Sequence, residues 1–110
     1  MRCSLHAEAL AEYRDAMLYY AGRAPGLAEA FTAEVEGAIA SIQTSPRARA
    51  ANARGTRRFL LRRFPYGVHY GIEQGSALEG EELIVIYAVR HTRRDPDSWQ
   101  HRVPPHVGND

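Results

Sequence analysis

The 110-residue sequence contains no lysine; all 14 of its basic residues are arginine. Its single cysteine, Cys3, excludes an intrachain disulfide and makes a cytoplasmic location the expectation. No apolar run approaches the roughly 18 to 20 residues needed to span a bilayer. Acidic Glu8, Glu12 and Asp15 interrupt the N-terminal stretch, so no secretory signal core is expected there. The five histidines have no cysteine or carboxylate at ligand spacing, so neither a zinc site nor any other cofactor is expected. Glycine-rich phosphate loops and nucleophile elbows are missing too. A chain this short holds one domain with a modest core. That domain is expected over residues 1–102, with a disordered tail over residues 103–110 that carries Pro104, Pro105 and Gly108.

What the chain does have is arginine in one block. Residues 1–45 carry 3 arginines against 6 acidic groups, residues 46–72 carry 7 arginines and no acid, and residues 73–110 carry 4 against 7. A basic centre between acidic flanks implies an acidic or polyanionic partner, and the planar guanidinium fork suits carboxylate and phosphate. A coding bias toward arginine on a solvated face accounts for the missing lysine, but less well for the clustering. Within the block, residues 56–72 read TRRFLLRRFPYGVHYGI. They are expected to form two antiparallel strands joined at Pro65, Tyr66 and Gly67, with Arg57, Arg58, Arg62 and Arg63 making one wholly basic face.

Periodicity supplies the remaining elements. Residues 1–5 form a short first strand. Residues 6–22 follow as a helix whose stripe is Ala9, Tyr13, Ala16, Met17 and Tyr20, with Ser4 as its cap and Glu8 in its first turn. A second helix over residues 26–43 has the stripe Leu27, Phe31, Val35, Ala38, Ile39 and Ile42, and a short link makes the two an antiparallel hairpin. Tyr13, Tyr20 and Phe31 read as packing residues. Residues 47–55 read as a mobile loop or a frayed turn. Strands are expected over residues 56–64, 66–73 and 83–90, the last two joined by a Gly- and Glu-rich loop over residues 74–82. The run LIVIYAVR is apolar on both faces, as a central strand covered on both sides requires. The helices supply one cover; the other face is expected to be a shallow groove that a partner fills. The fold class is therefore α+β, in the order β-α-α-β-β-β, with the helix hairpin on one face of a mainly antiparallel sheet of three to four strands.

Three stretches in this order, AEYRDAMLYYAGRAPGLAEAF, GTRRFLLRRFPYGVHY and IYAVRHTRRDPDSWQHR, span about residues 5–102. In them the chain resembles the RelE/ParE superfamily of type II toxin–antitoxin toxins, and most closely the ParE-like, plasmid-stabilisation branch. The resemblance implies a bacterial growth inhibitor held inactive by a cognate antitoxin, whose acidic C-terminal segment wraps the toxin. It also implies one of two targets. ParE-like members inhibit DNA gyrase without being nucleases, whereas RelE-like members cut mRNA on the ribosome, and fold alone does not choose between them.

The antitoxin- or target-binding residues expected on this reading are Arg57, Arg58, Arg62, Arg63, Tyr70, Tyr87, Arg90, His91, Arg93, Arg94 and Trp99. A nuclease would need a base, cations for the phosphate and an acid for the leaving oxygen; Arg57, Arg62, Tyr87 and His91 are the candidates, with His69 as a further base or acid. The RelE-like pattern uses lysine- and arginine-rich sites near a short catalytic terminus. Here lysine is missing and Trp99 with a proline-rich tail follows instead, which weighs toward the gyrase reading. Structural roles stand beside each of these: His91 fixing the tail by a hydrogen bond, His69 on the outer side of its strand, Trp99 pinning the tail to the body, Arg94 pairing with a turn at Asp95-Pro96, and Glu8, Glu12 and Asp15 on a solvated helix face.

Overall fold

A computed structural model describes residues 1–74, 81–95, 97–105 and 107. Most of the expected loop over residues 74–82, Pro96 of the expected turn, and positions 106 and 108–110 of the expected tail lie outside the described residues. The chain runs β1 (Cys3–Leu5), α1 (Ala7–Ala21), α2 (Leu27–Thr44), β2 (Arg57–Leu60), β3 (Tyr66–Gln74) and β4 (Glu82–His91), then a 3-10 turn at Gln100–Arg102. The fold is α+β, as the patterning implied. The sheet order is β1-β4-β3-β2, with β1 parallel to β4 and the other pairs antiparallel.

Both helix stripes are where the 3.6-residue period put them. Phe31, Val35, Ala38 and Ile42 of α2 and Ala9 and Ala16 of α1 are buried against Val68, Tyr70, Ile84 and Ile86 of the sheet. Tyr20, Phe31, Phe64 and Tyr66 form an aromatic cluster at that seam, with ring centroids 4.9 to 6.1 Å apart. The α1 cap differs from expectation. Ser4 lies inside β1, and the Nδ1 of His6 accepts from the Glu8 N–H at 3.1 Å.

The β2–β3 connection also differs. β2 ends at Leu60, so residues 61–65 make the connection and Tyr66 already belongs to β3. Glu34 of α2 holds this turn: its Oε1 accepts from the N–H of Arg63 at 2.8 Å and from the N–H of Arg62. Leu61 and Phe64 are buried within the turn, and the Arg62 and Arg63 side chains point outward. The four arginines therefore do not share a face. Arg57 alternates with Phe59 on the helix side, Arg58 with Leu60 on the opposite side, and the other two sit in the turn.

Residues 47–55, read from the sequence as a mobile loop, are tied down. Asn52 Oδ1 accepts from the N–H groups of Arg54 and Thr56 at 2.9 and 3.0 Å. Gly55 closes the turn at φ +83°, a backbone region glycine enters without strain. The Tyr70 hydroxyl donates to the Pro46 carbonyl at 2.8 Å, and Arg49 stacks on Phe59 with 3.8 Å to the ring centroid.

The β3–β4 register skips one residue: His69 pairs with Ala88 and Tyr70 with Ile86, leaving Tyr87 as a bulge. The extra residue turns both Tyr87 and Ala88 to the face away from the helices, while Ile86 and Val89 stay with the main core. That second face is not an open groove. Trp99 and Val107, 2 % and 6 % exposed, pack on Tyr87 and Ala88, with Val85 and Val103 beside them. Residues 97–105 and Val107, here called the strap, thus cover the sheet with the chain's own side chains. Val103 and Val107 come from the stretch expected to be a disordered tail.

Candidate partner-binding site

The strap is fixed to the body through Glu12. Arg102 donates from Nη1 and Nη2 to the two Glu12 carboxylate oxygens, both at 3.0 Å, and from Nη1 to the Tyr87 carbonyl at 2.9 Å. Arg90 Nε lies 3.1 Å from the same carboxylate, and its Nη1 donates to Ser98 Oγ. The side chains of Arg102, Arg90 and Glu12 are 6 %, 11 % and 15 % exposed. Glu12 was expected on a solvated helix face; it is instead the hub joining α1, β4 and the strap. Exposed Glu8 keeps the solvated position expected of it.

On the strap side, residues of β2, β3 and β4 line two clefts. The first, about 330 Å³, is bounded by Arg57, Arg58, His69, Asp97, Trp99 and Asn52 among others. The second, about 120 Å³, shares Arg58, His69 and Trp99 with it and adds Arg90, His91 and Arg94. A third cleft, about 190 Å³, shares Arg90, His91 and Arg94 and ends at Tyr66 and Tyr19. Through these shared residues the three adjoin in an arginine-rich band that also carries Asp97, Asp95, Glu12 and Asp15 and whose last part is bordered by α1.

His69 and Trp99 make its floor. Their rings are tilted at 40° with centroids 4.8 Å apart. Burial, with the nearby Arg58 charge adding to it, holds the His69 imidazole down at about pKa 4, so it is neutral near pH 7. The alternation that set His69 with Gly67 and Gly71, opposite Val68 and Tyr70, holds. Gly67 leaves room for the Arg58 side chain, whose methylenes lie 3.4 Å from where a Cβ would stand.

Of the residues expected at the site, the structure brings Arg57, Arg58, Arg90, His91, Arg94 and Trp99 to this band. Arg57 donates to the Arg47 carbonyl at 3.4 Å and to the Arg49 carbonyl. Those acceptors carry no charge, so its own is not neutralised by them. His91 Nδ1 accepts from the Arg93 N–H at 3.1 Å, the tail-fixing bond expected of it, and Trp99 pins the strap as expected. Arg62 and Arg63 project from the turn, and Arg93 is exposed but lines none of the three clefts. Tyr70 is fully buried among the helices. Tyr87 is fully buried beneath the strap, its hydroxyl donating to Glu73 Oε2 at 2.6 Å. Burial and that carboxylate push the Tyr87 pKa far up. Among the described residues no cluster of three His, Cys, Asp or Glu side chains is placed to hold a metal, and no helix is long and apolar enough to cross a membrane.

Sequence reasoning missed Glu12, Arg102, Glu34 and His69's neutral burial. Only His69 carried a local signal, its alternation with two glycines.

The sequence that builds this α+β layer of two helices on a mixed four-stranded sheet matches a family model. It is the ParE toxin of the type II toxin–antitoxin system parDE, and it matches residues 4–96. No curated protein matches the chain. With most of its length covered, the chain belongs to the ParE toxin family and is a toxin of the type II toxin–antitoxin class.

Proposed function

We propose that this toxin inhibits bacterial growth in the cytoplasm by poisoning DNA gyrase. In this reading the arginine band is the surface it uses, and a cognate antitoxin neutralises it by laying an acidic segment along that band. Plasmid stabilisation follows from such a pair when a plasmid carries it. One observation carries the choice of mechanism. Of the five candidates for a nuclease, Tyr87 is sealed under the strap on Glu73, Arg62 projects from a turn and Arg57 donates to loop carbonyls; His69 and His91 share a cleft with Arg58, but the His69 ring packs against Trp99 and His91 accepts a backbone N–H through Nδ1. Proton transfer to a 2′-hydroxyl needs acid and base within about 3 Å of the reacting atoms, and a buried Tyr87 offers no hydroxyl to a substrate. Arg58, Arg94 and the band between them serve binding instead.

Purified protein added to gyrase and supercoiled DNA tests this. Accumulation of cleaved gyrase–DNA complexes is the expected result. Cut mRNA in a translating extract, with supercoiling unaffected, would assign the ribosome as target instead.

A further inference from the structure

Arg58 and Arg94 line the same cleft of about 120 Å³, and among the described residues neither pairs with a carboxylate. Two more residues of that cleft hold buried donors with no acceptor, Arg90 Nε and Trp99 Nε1. Arg90 Nε is near Glu12 but lacks the alignment of a hydrogen bond. A buried N–H without an acceptor is a standing cost of the closed structure, and a ligand oxygen that reached the Trp99 indole N–H would relieve it. His91 adds a further donor, because its Nδ1 is already accepting and a neutral ring then carries its proton on Nε2. Among the described residues the one acidic side chain lining the cleft is Asp95, whose Oδ1 is engaged by the Asp97 N–H at 2.9 Å.

A cleft so rich in donors selects an acceptor-only ligand. Three guanidinium groups, Arg58, Arg90 and Arg94, line the cleft against Asp95; with Arg90 beside Glu12, one positive charge is left in excess, which a single carboxylate balances. We propose that this cleft is the anchor site for one carboxylate side chain of an acidic peptide segment, gripped by Arg58 and Arg94 and receiving a hydrogen bond from the Trp99 indole N–H. The assignment rests on the reading above that an acidic antitoxin segment meets the arginine band. It goes further by naming the pocket, its ligand chemistry and a neutral donor, Trp99, that charge alone would not single out. The strap is part of the site: Arg102 on Glu12 keeps Trp99 in place, so a ligand binds the closed strap instead of displacing it.

Trp99 is the only tryptophan, so its indole N–H gives one resonance in a proton–nitrogen correlation spectrum of the full chain. An octaglutamate peptide titrated at low salt is expected to move that resonance downfield and to saturate. Binding is expected to weaken at least tenfold in the double variant Arg58→Gln, Arg94→Gln, whose exposed side chains leave the fold intact. Trp99→Phe, which keeps a packed ring and removes the donor, is expected to bind several-fold more weakly when followed by calorimetry. An unmoved indole, or equal affinity in both variants, overturns the assignment. Movement with inorganic phosphate or a short single-stranded oligonucleotide but not with the peptide gives the cleft to phosphate and overturns the carboxylate. Neutralisation by a coexpressed antitoxin while the indole stays silent would sink the cleft and leave the proposed function standing.

Discussion

Glu12 and Arg102, 90 positions apart, meet through two parallel hydrogen bonds of 3.0 Å, and together they stand in for a strand that the sheet lacks. β1 pairs with β4 only as far as Ile86, so among the described residues β4 continues to His91 with no strand neighbour on that side. Two backbone groups there are satisfied by side chains instead: the Val89 N–H by Glu12 at 3.1 Å and the Tyr87 carbonyl by Arg102 at 2.9 Å. An uncovered strand edge invites pairing with another chain. The ion pair closes this one and holds the strap across the far face of the sheet.

Glu12→Gln leaves Arg102 to the half-exposed Glu8, 3.5 Å from its Nε, and takes the carboxylate from Arg90; it is therefore expected to cost about 3 kcal/mol, the low end for a broken buried pair. Urea unfolding measures the loss. Trp99 emission is expected to shift to longer wavelength before the main transition, as the strap loosens first. A loss under about 1 kcal/mol, the range of surface ion pairs, would mean that the pair is solvated.

Gly71 lies beneath the strap. A Cβ there would stand 2.8 Å from Tyr87 Cε2 and 3.1 Å from Val107 Cγ1. Gly71→Ala is expected to destabilise by about 1–3 kcal/mol through overpacking. Pairing it with Val107→Ala is expected to recover part of that loss, which a double-mutant cycle reads directly.

His69 gives the protein a pH dependence of definite sign. Its folded pKa, about 4, lies below the ordinary 6.5, so the unfolded chain takes up the proton first. The stability this provides is complete above pH 6.5 and is lost as the pH falls toward 4. Arg58 and Arg90 oppose the protonated ring and Glu12 favours it. His69→Gln is expected to flatten the slope of unfolding free energy between pH 4 and 6.5 relative to wild type. An unchanged slope would mean that the ring is solvated.

Tyr87→Phe removes the hydroxyl that meets Glu73 but keeps the ring. A loss of about 1–3 kcal/mol is expected from the half-buried carboxylate left without its donor. Toxicity on expression is expected to persist in surviving folded protein. Abolished toxicity at unchanged stability would return Tyr87 to a catalytic role.

Much of the architecture was legible because its signals are local. Both helix stripes follow a 3.6-residue period, and LIVIYAVR announced a central strand by being apolar on both faces. Local pattern failed where the deciding partner is distant. The turn carrying Arg62 and Arg63 looked like strand because nothing near it shows that Glu34, 28 residues earlier, binds its N–H groups. Glu12 looked solvated because its arginines lie in β4 and the strap. The Tyr87 bulge was invisible, since a register skip within a run apolar on both faces leaves the hydrophobic pattern unchanged. At the candidate site, composition pointed to arginine but placed all of it on one face. Strand alternation divides Arg57 from Arg58: both border the cleft beside the strap, and Arg58 alone of the two also lines the one shared with β4.

The most direct test is a gyrase cleavage assay comparing wild type with the double variant Arg58→Ala, Arg94→Ala, both shown to be folded by the Trp99 indole resonance. The account predicts that wild type accumulates cleaved gyrase–DNA complexes and that the variant requires at least tenfold more protein for the same yield. Full activity in the variant would contradict the arginine band as the working surface. A wild type that leaves gyrase untouched and cuts mRNA on ribosomes would contradict the account as a whole.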